Sequence, residues 1–317
     1  MLIASCKKQT CMEEICDTVY LPNSLIDSLQ DSIIHLIEDV STSDYYVYNA
    51  KDNYENTMEC AKIIAYQNDT FIAVYHTVKN NIFSVKVAIS TNLQSWYFKK
   101  TLATNASQPT IYKIENNSFY LAWEQEPSNH ILLSYYNNLS DLIHNLPYLQ
   151  KELTHTLSSK AEGTPNIYSV SDSSIKIGFH YYCKGDVDRE ATGILQNLQS
   201  WSTQKEPCLD RSLSNYSING NIGDRDNLNL FGHDFLAIEA QGKKGDFGTW
   251  KCYLYSPETN VSKWIPFKTH KGSSNFANPT ISILTLHQRT LVLVTAYIHR
   301  DRAMPNEQGC LLFYRFL

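Results

Sequence analysis

Four ionisable side chains close a series of short apolar runs in this sequence. His76, Glu124 and His180 each stand thirteen positions after an isoleucine, namely Ile63, Ile111 and Ile167. Glu239 ends a fourth run, eleven positions after Leu228, and a fifth run carries Thr295 and Tyr297 at the corresponding place. Burying four such groups together costs several kcal/mol unless they are paired or face water. The pattern therefore reads as the lining of a polar cavity, the other reading being strands that end in solvent. Further acids stand nearby in motifs of their own: Glu59, Glu162 in Glu-Gly-Thr-Pro, and Asp224 and Asp226 in Gly-Asp-Arg-Asp. Two carboxyl groups on opposite sides of a bond can divide the work, one donating a proton while the other stays ionised. Arg225, flanked by two Asp, either satisfies them or binds a substrate hydroxyl or acid group. The loop Gly242–Gly248 can fold over a ligand, and Trp250 after it either stacks on that ligand or packs in its blade. No helix pattern follows this loop, so it is not a phosphate loop. His76 and His180 could hold a metal with Glu124, but their spacing across blades tests nothing, and no metal or cofactor is expected.

The elements that position these groups are almost all strands. Leu25, Ile26, Leu29, Ile33, Leu36 and Ile37 fall at helical spacing, with Asn23 or Ser24 as cap, and predict one amphipathic helix within 23–40. From Tyr45 onward the chain is short runs of Ile, Val, Tyr, Phe and Thr broken by Asn, Asp, Ser and Gly. The runs repeat. Asn-Leu-Gln-Ser-Trp occurs at 92–96 and identically at 197–201, with weaker relatives at Asn260–Trp264 and Asn138–Leu142. Independently, Ala61-Lys-Ile63, Pro109-Thr-Ile111, Pro165-Asn-Ile167, Asp226-Asn-Leu228 and Pro279-Thr-Ile281 each open a strand pair. Five units of about fifty residues predict an all-β, five-bladed β-propeller over 41–317, after an N-terminal lead over 1–40. Tyr45–Tyr48 can complete the blade ending in Leu311–Phe316, closing the ring without a bare edge.

The blade-closing Ser90-Thr-Asn92-Leu-Gln-Ser-Trp96, together with Ser107-Gln-Pro109-Thr-Ile, Glu162-Gly-Thr-Pro165-Asn-Ile and Gly223-Asp-Arg-Asp226, resembles the five-bladed propeller glycosidases. That superfamily includes arabinanases, β-xylosidases, invertases and mannoside phosphorylases. The resemblance implies a carbohydrate ligand and hydrolysis by two carboxyl groups at the channel mouth. It implies Glu162 as general acid, with Glu59, Asp224 or Asp226 as base or nucleophile. His76, Gln108, Glu124, His180, Arg225, Glu239 and Trp250 would then bind substrate. The match is partial: Cys60-Ala61 stands where the family has Asp-Pro, and Thr110 where it has a second Asp. The alternative is a carbohydrate-binding or interaction propeller that has lost catalysis.

Composition narrows the rest. The chain has 317 residues and a net charge of −5, with 19 % charged and 12 % aromatic residues, 21 of them Tyr. An acidic balance argues against nucleic-acid binding, and few charges with many aromatics against disorder. Ala4-Ser5-Cys6 resembles a lipoprotein cleavage box, which implies a lipid anchor at Cys6 and a secreted or envelope-associated protein; an ordinary cytoplasmic start is the alternative. A monomer is expected. Of the eight cysteines, the scattered later ones read as free core thiols, not as a disulfide framework.

Overall fold

The computed structural model describes Cys16 and residues 23–67, 69–183 and 187–317, with Asp224 described by its backbone alone. The helix α1 (Ser24–Ile37) forms where the apolar spacing predicts, and Asn23 caps it by accepting from the backbone N–H groups of Leu25 and Ile26. The first strand, β1 (Tyr45–Val47), is set apart from its own blade. Blade 1 then comprises β2 (Glu59–Gln67), β3 (Thr70–Lys79), β4 (Ile82–Ser90) and β5 (Tyr97–Thr104). Blade 2 is β6 (Ala106–Lys113), β7 (Phe119–Gln125), β8 (His130–Tyr136) and β9 (Leu149–Leu153). Blade 3 is β10 (Glu162–Val170), β11 (Ser174–Cys183), β12 (Val187–Gln196) and β13 (Ser200–Lys205). Blade 4 is β14 (Ile222–Leu230), β15 (His233–Gln241), β16 (Trp250–Ser256) and β17 (Val261–Trp264). Blade 5 is β18 (Ala277–Leu286), β19 (Arg289–Ile298) and β20 (Gly309–Phe316), completed by β1. The closure pairs Tyr45 with Tyr314 and Val47 with Leu312, and the rings of Tyr45 and Tyr314 stack at 5.4 Å.

Two short helices punctuate the blades. The Asn138–Leu142 relative of the Trp motif forms α2 (Leu139–His144), with Asn138 as its cap. Between blades 3 and 4 lies α3 (Pro207–Ser212), which a disulfide from Cys208 joins to Cys16. Cys183 is disulfide-bonded as well. The expectation of free thiols therefore holds for the buried Cys60, Cys252 and Cys310 but not for these residues. Spacing alone gave no hint of a pair 192 residues apart.

The core is a ring of seams between neighbouring blades. Blades 1 and 2 share Val74, Val87, Phe119 and Trp123, while blades 2 and 3 share Leu133, Ile177 and Phe179. Blades 5 and 1 share Leu293, Leu312, Phe71 and Tyr75. The apolar face of α1 extends the seam of blades 4 and 5, with Ile26, Ile33 and Ile37 against Leu254 and Phe313. Gln30 anchors the helix by donating to the carbonyls of Leu254 (2.9 Å) and Val261 (3.0 Å).

Candidate active site at the channel mouth

The innermost strand of every blade begins with the same irregularity. Pairing slips between Glu59 and Lys62, Ser107 and Thr110, Gly163 and Asn166, Gly223 and Arg225, and Ala277 and Thr280. Each slip is a β-bulge, which bends the strand and leaves residues outside the ladder. Cys60, Gln108, Thr164 and Asn278, the first residues of four of these bulges, have φ of 55°, 52°, 44° and 51°. A left-handed conformation at such residues costs on the order of 1–3 kcal/mol each and clusters at functional sites. In three blades the next residue is Pro109, Pro165 or Pro279, which has no N–H to leave orphaned. One N–H per bulge then still needs a partner.

In three of the bulges the ring of titratable side chains supplies it. In the register His76 lies opposite Glu59, Glu124 opposite Ser107, His180 opposite Gly163, Glu239 opposite Gly223 and Tyr297 opposite Ala277. These are equivalent positions, and each side chain can reach over to the next blade. The N–H of Gln108 donates to His76 Nδ1 (3.2 Å), that of Thr164 to Glu124 Oε2 (3.2 Å), and that of Asn278 to Glu239 Oε2 (2.5 Å). His180 Nδ1 pairs with the Thr164 hydroxyl at 2.6 Å. The sequence reads these groups as a cavity lining that binds substrate. The structure gives His76, Glu124 and Glu239 a second task, holding blade to blade, and the Pro-x-Ile repeat was its visible signal.

Aligning the five bulges sorts the candidates. Glu59 shares its position with Ser107, Gly163, Gly223 and Ala277, so four blades carry a small side chain where blade 1 carries a carboxylate. The small residues leave room for the ring. A Cβ on Gly163 would lie 2.0 Å from Glu124 Oε2, and one on Gly223 would lie 3.7 Å from both Glu239 Oε1 and His180 Nδ1. Glu59 accepts from the Thr57 hydroxyl (2.9 Å) and faces His76 Nε2 at 3.6 Å. With Nδ1 of His76 accepting from Gln108, a ring proton on a neutral His76 sits on Nε2, the Glu59 side. Burial pushes the Glu59 carboxyl up, but hydrogen bonds and charge from His76, with help from Thr57 and His299, outweigh it and hold the pKa below the ordinary value. Burial also holds His299 below the usual histidine range, against the pull of Asp301 and Glu59.

The same alignment removes other candidates from the mouth. Glu162 falls one position earlier, where the other blades have the buried apolar Met58, Ala106, Ile222 and Phe276. It is 2 % exposed, and its Oε1 accepts from the backbone N–H groups of Thr156 (2.7 Å), Leu157 (2.5 Å) and Ser158 (3.0 Å). A carboxylate so placed clamps the incoming loop to the start of β10. Arg225 aligns with the prolines and points away from the channel. Its guanidinium pairs with Glu190 at 2.6 Å in the seam of blades 3 and 4 and donates to the carbonyls of Phe179 (2.5 Å) and Ala191. Trp250 is buried in blade 4, 7 % exposed, and offers no stacking face. The side chain of Asp224 lies outside what is described.

Asp226 does face the channel, but as its floor. It accepts from Lys62 Nζ of blade 1 (2.5 and 2.6 Å), Asn166 Nδ2 of blade 3 (3.0 Å) and the N–H of Ile281 of blade 5 (2.9 Å). With donors from three other blades it has no lone pair to spare for a substrate. The tie also shows that blades 1 and 4 face one another across the channel. Glu59 stands three residues before Lys62, and Glu239 lies opposite Gly223, three residues before Asp226, so each carboxylate belongs to the mouth end of a strand pair that reaches this floor. Gln108 Oε1, shielded and without a hydrogen-bond partner, adds an acceptor to blade 2. Among the described residues no group of three or more His, Cys, Asp or Glu side chains is arranged to hold a metal ion.

With this geometry the chain can be set against solved proteins. It has the fold of glycoside hydrolases. One structure described as a glycoside hydrolase superposes with a TM-score of 0.60 at 8 % identity, covering 90 % of this chain and 94 % of the other. A thermostable family-43 glycoside hydrolase gives a TM-score of 0.54 at 11 % identity, with 85 % and 91 % covered. Sucrose-6-phosphate hydrolase from Lactobacillus gasseri gives 0.55 at 10 % identity, with 92 % and 64 % covered. At these identities the likeness is one of architecture. No protein-family model matches the sequence, and no curated protein is significantly similar to it.

Proposed function

We propose that the protein is a glycoside hydrolase acting on a glycan at the channel mouth. Glu59 is the ionised carboxylate, serving as base or nucleophile, and Glu239 across the mouth gives the proton to the leaving oxygen. Such pairs work at separations of about 5–9.5 Å on either side of the scissile bond. His76, Gln108, Glu124 and His180 orient the sugar hydroxyls. The observation that carries this reading is Glu59 itself: a carboxylate held ionised in the one blade where the innermost ring position is not small. The solved neighbours add the precedent of glycosidases on this scaffold.

The Cys16–Cys208 bridge supports an oxidising compartment, since such bonds do not persist among cytosolic thiols. We assign the protein to the cell envelope or exterior, as a monomer, with Cys6 as the lipid attachment point. Cys6 itself lies outside the described residues. Palmitate labelling that disappears in Cys6→Ser checks the anchor.

A panel of aryl glycosides tests the activity. The wild-type chain should hydrolyse at least one member, and Glu59→Gln should lower the rate by about 10²–10⁴-fold. Glycan binding without turnover of any member would replace this reading with that of a carbohydrate-binding propeller.

A further inference from the structure

A second concave site lies beside the mouth. Strand β17 runs back toward the mouth face, and a cavity of about 270 Å³ opens by its last residue, Trp264. That volume equals roughly nine waters at about 30 Å³ each, the scale of one pyranose ring. Its walls are the rings of Tyr216, Tyr253 and Trp264, and its charges are Lys251 and Arg302. Among the described residues, no carboxylate lines it.

The site is built by specific departures from the repeat. In the Asn-x-x-x-Trp motif Trp96 is packed away at 3 % exposure, whereas Trp264 is 45 % exposed, with Lys251 Nζ 4.7 Å from its ring centre. Arg302 lies flat across Gly248, where a Cβ would come within 2.9 Å of its Nε. The nearest acid in that turn, Asp246, is engaged in capping the Gly248 N–H at 3.1 Å. The same turn carries Phe247, 53 % exposed, which packs on His299 at 5.2 Å, and His299 in turn feels the charge of Glu59. The turn is thus the wall between the mouth and this cavity.

We infer that the blade 4 cavity is a subsite for an anionic sugar residue, such as a uronate, its ring resting on Trp264 and Tyr216 and its acid group on Arg302 and Lys251. Aromatic faces take the apolar side of a pyranose, and two cations with no competing acid select negative charge. The inference rests on the glycan reading of the mouth only in expecting a sugar.

Calorimetric titration of the full chain tests it, with digalacturonate, the neutral galactobiose and sodium sulfate as probes. Digalacturonate should bind at least tenfold more tightly than galactobiose, and Arg302→Gln should remove that preference while leaving the melting temperature unchanged. Gly248→Ala, which displaces the Arg302 side chain, should weaken uronate binding in the same direction. Equal affinity for the two sugars, no binding of digalacturonate, or an affinity untouched by Arg302→Gln overturns the subsite. Sulfate competing as well as digalacturonate overturns the sugar part, leaving a bare anion site. The wild-type chain separates the two readings: digalacturonate binding by a chain that hydrolyses no member of the aryl glycoside panel upholds the subsite and removes only the catalytic proposal.

Discussion

Arg225 and Asp226 are neighbours in sequence and belong to different regions of the molecule. Asp226 turns into the channel, where one carboxylate meets one Lys62 ammonium and the Asn166 and Ile281 donors, so charge and hydrogen bonds balance. Arg225 turns into the seam of blades 3 and 4, where acids outnumber it. Glu190 pairs with it, Asp210 accepts from the Glu190 N–H, and Glu206 accepts from the Thr192 hydroxyl. Burial there outweighs the attraction of Arg225 and pushes Glu190 up to about 8; it pushes Asp210 up to about 7. The alternation of one strand has made a saturated floor on one face and an over-acidic seam on the other. A buried ion pair stabilises only as far as its partners are complete, and only the floor meets that condition.

Breaking the floor should have the largest effect. Asp226→Ala leaves the Lys62 ammonium buried without its partner and orphans two further donors, and should cost about 3–5 kcal/mol in denaturant unfolding. A loss below about 1 kcal/mol would mean that the floor is not the tie described. The seam should prove more forgiving. Arg225→Met alone is destabilising, but the double variant Arg225→Met/Glu190→Gln should recover most of the loss, because both buried charges are then gone.

The seam also sets a pH dependence that the floor does not share. Glu190 and Asp210 have folded pKa values raised above their unfolded ones, so their contribution is complete below the ordinary carboxylate range. It fades as the pH rises through about 7 and 8, the unfolded chain releasing protons that the folded chain retains. Stability should therefore fall between pH 5 and pH 8, by on the order of 1 kcal/mol per pH unit for each group. Melting scans of Glu190→Gln should lose part of that slope. A slope identical to wild type would remove Glu190 from the account. The smallest effect belongs to the ring above the floor: Gly163→Ala must move the Glu124 carboxylate and should cost about 1–3 kcal/mol.

The blades were legible because two repeats, Pro-x-Ile and Asn-x-x-x-Trp, recur in register and each marks a fixed point of a blade. Ring closure by Tyr45–Val47 and the Asn23-capped helix followed from pattern alone. Side-chain direction at the strand starts was harder to read, because a bulge breaks the two-residue alternation just where the acids cluster. Aligning Gly163-Thr-Pro-Asn166 with Gly223-Asp-Arg-Asp226 puts Arg225 at a proline position and Asp226 at a channel position. The same alignment puts Glu162 among Met58, Ala106, Ile222 and Phe276, which are core. A motif read by resemblance made Glu162 the acid; its place in the repeat makes it a loop clamp. The Cys16–Cys208 bridge was invisible for another reason, since nothing in cysteine spacing specifies a partner across most of the fold.

The central claim is that the proton donor stands over Gly223 and not at the start of β10. It is tested most directly by the kcat/KM of Glu239→Gln and Glu162→Gln on aryl glycosides whose leaving groups differ in acidity. A poor leaving group needs the acid, and an activated phenol does not. Glu239→Gln should therefore lose about 10²–10⁴-fold on the poor leaving group and far less on the activated one, while Glu162→Gln changes both alike. Leaving-group-selective loss in Glu162→Gln, with Glu239→Gln unaffected, would contradict the assignment.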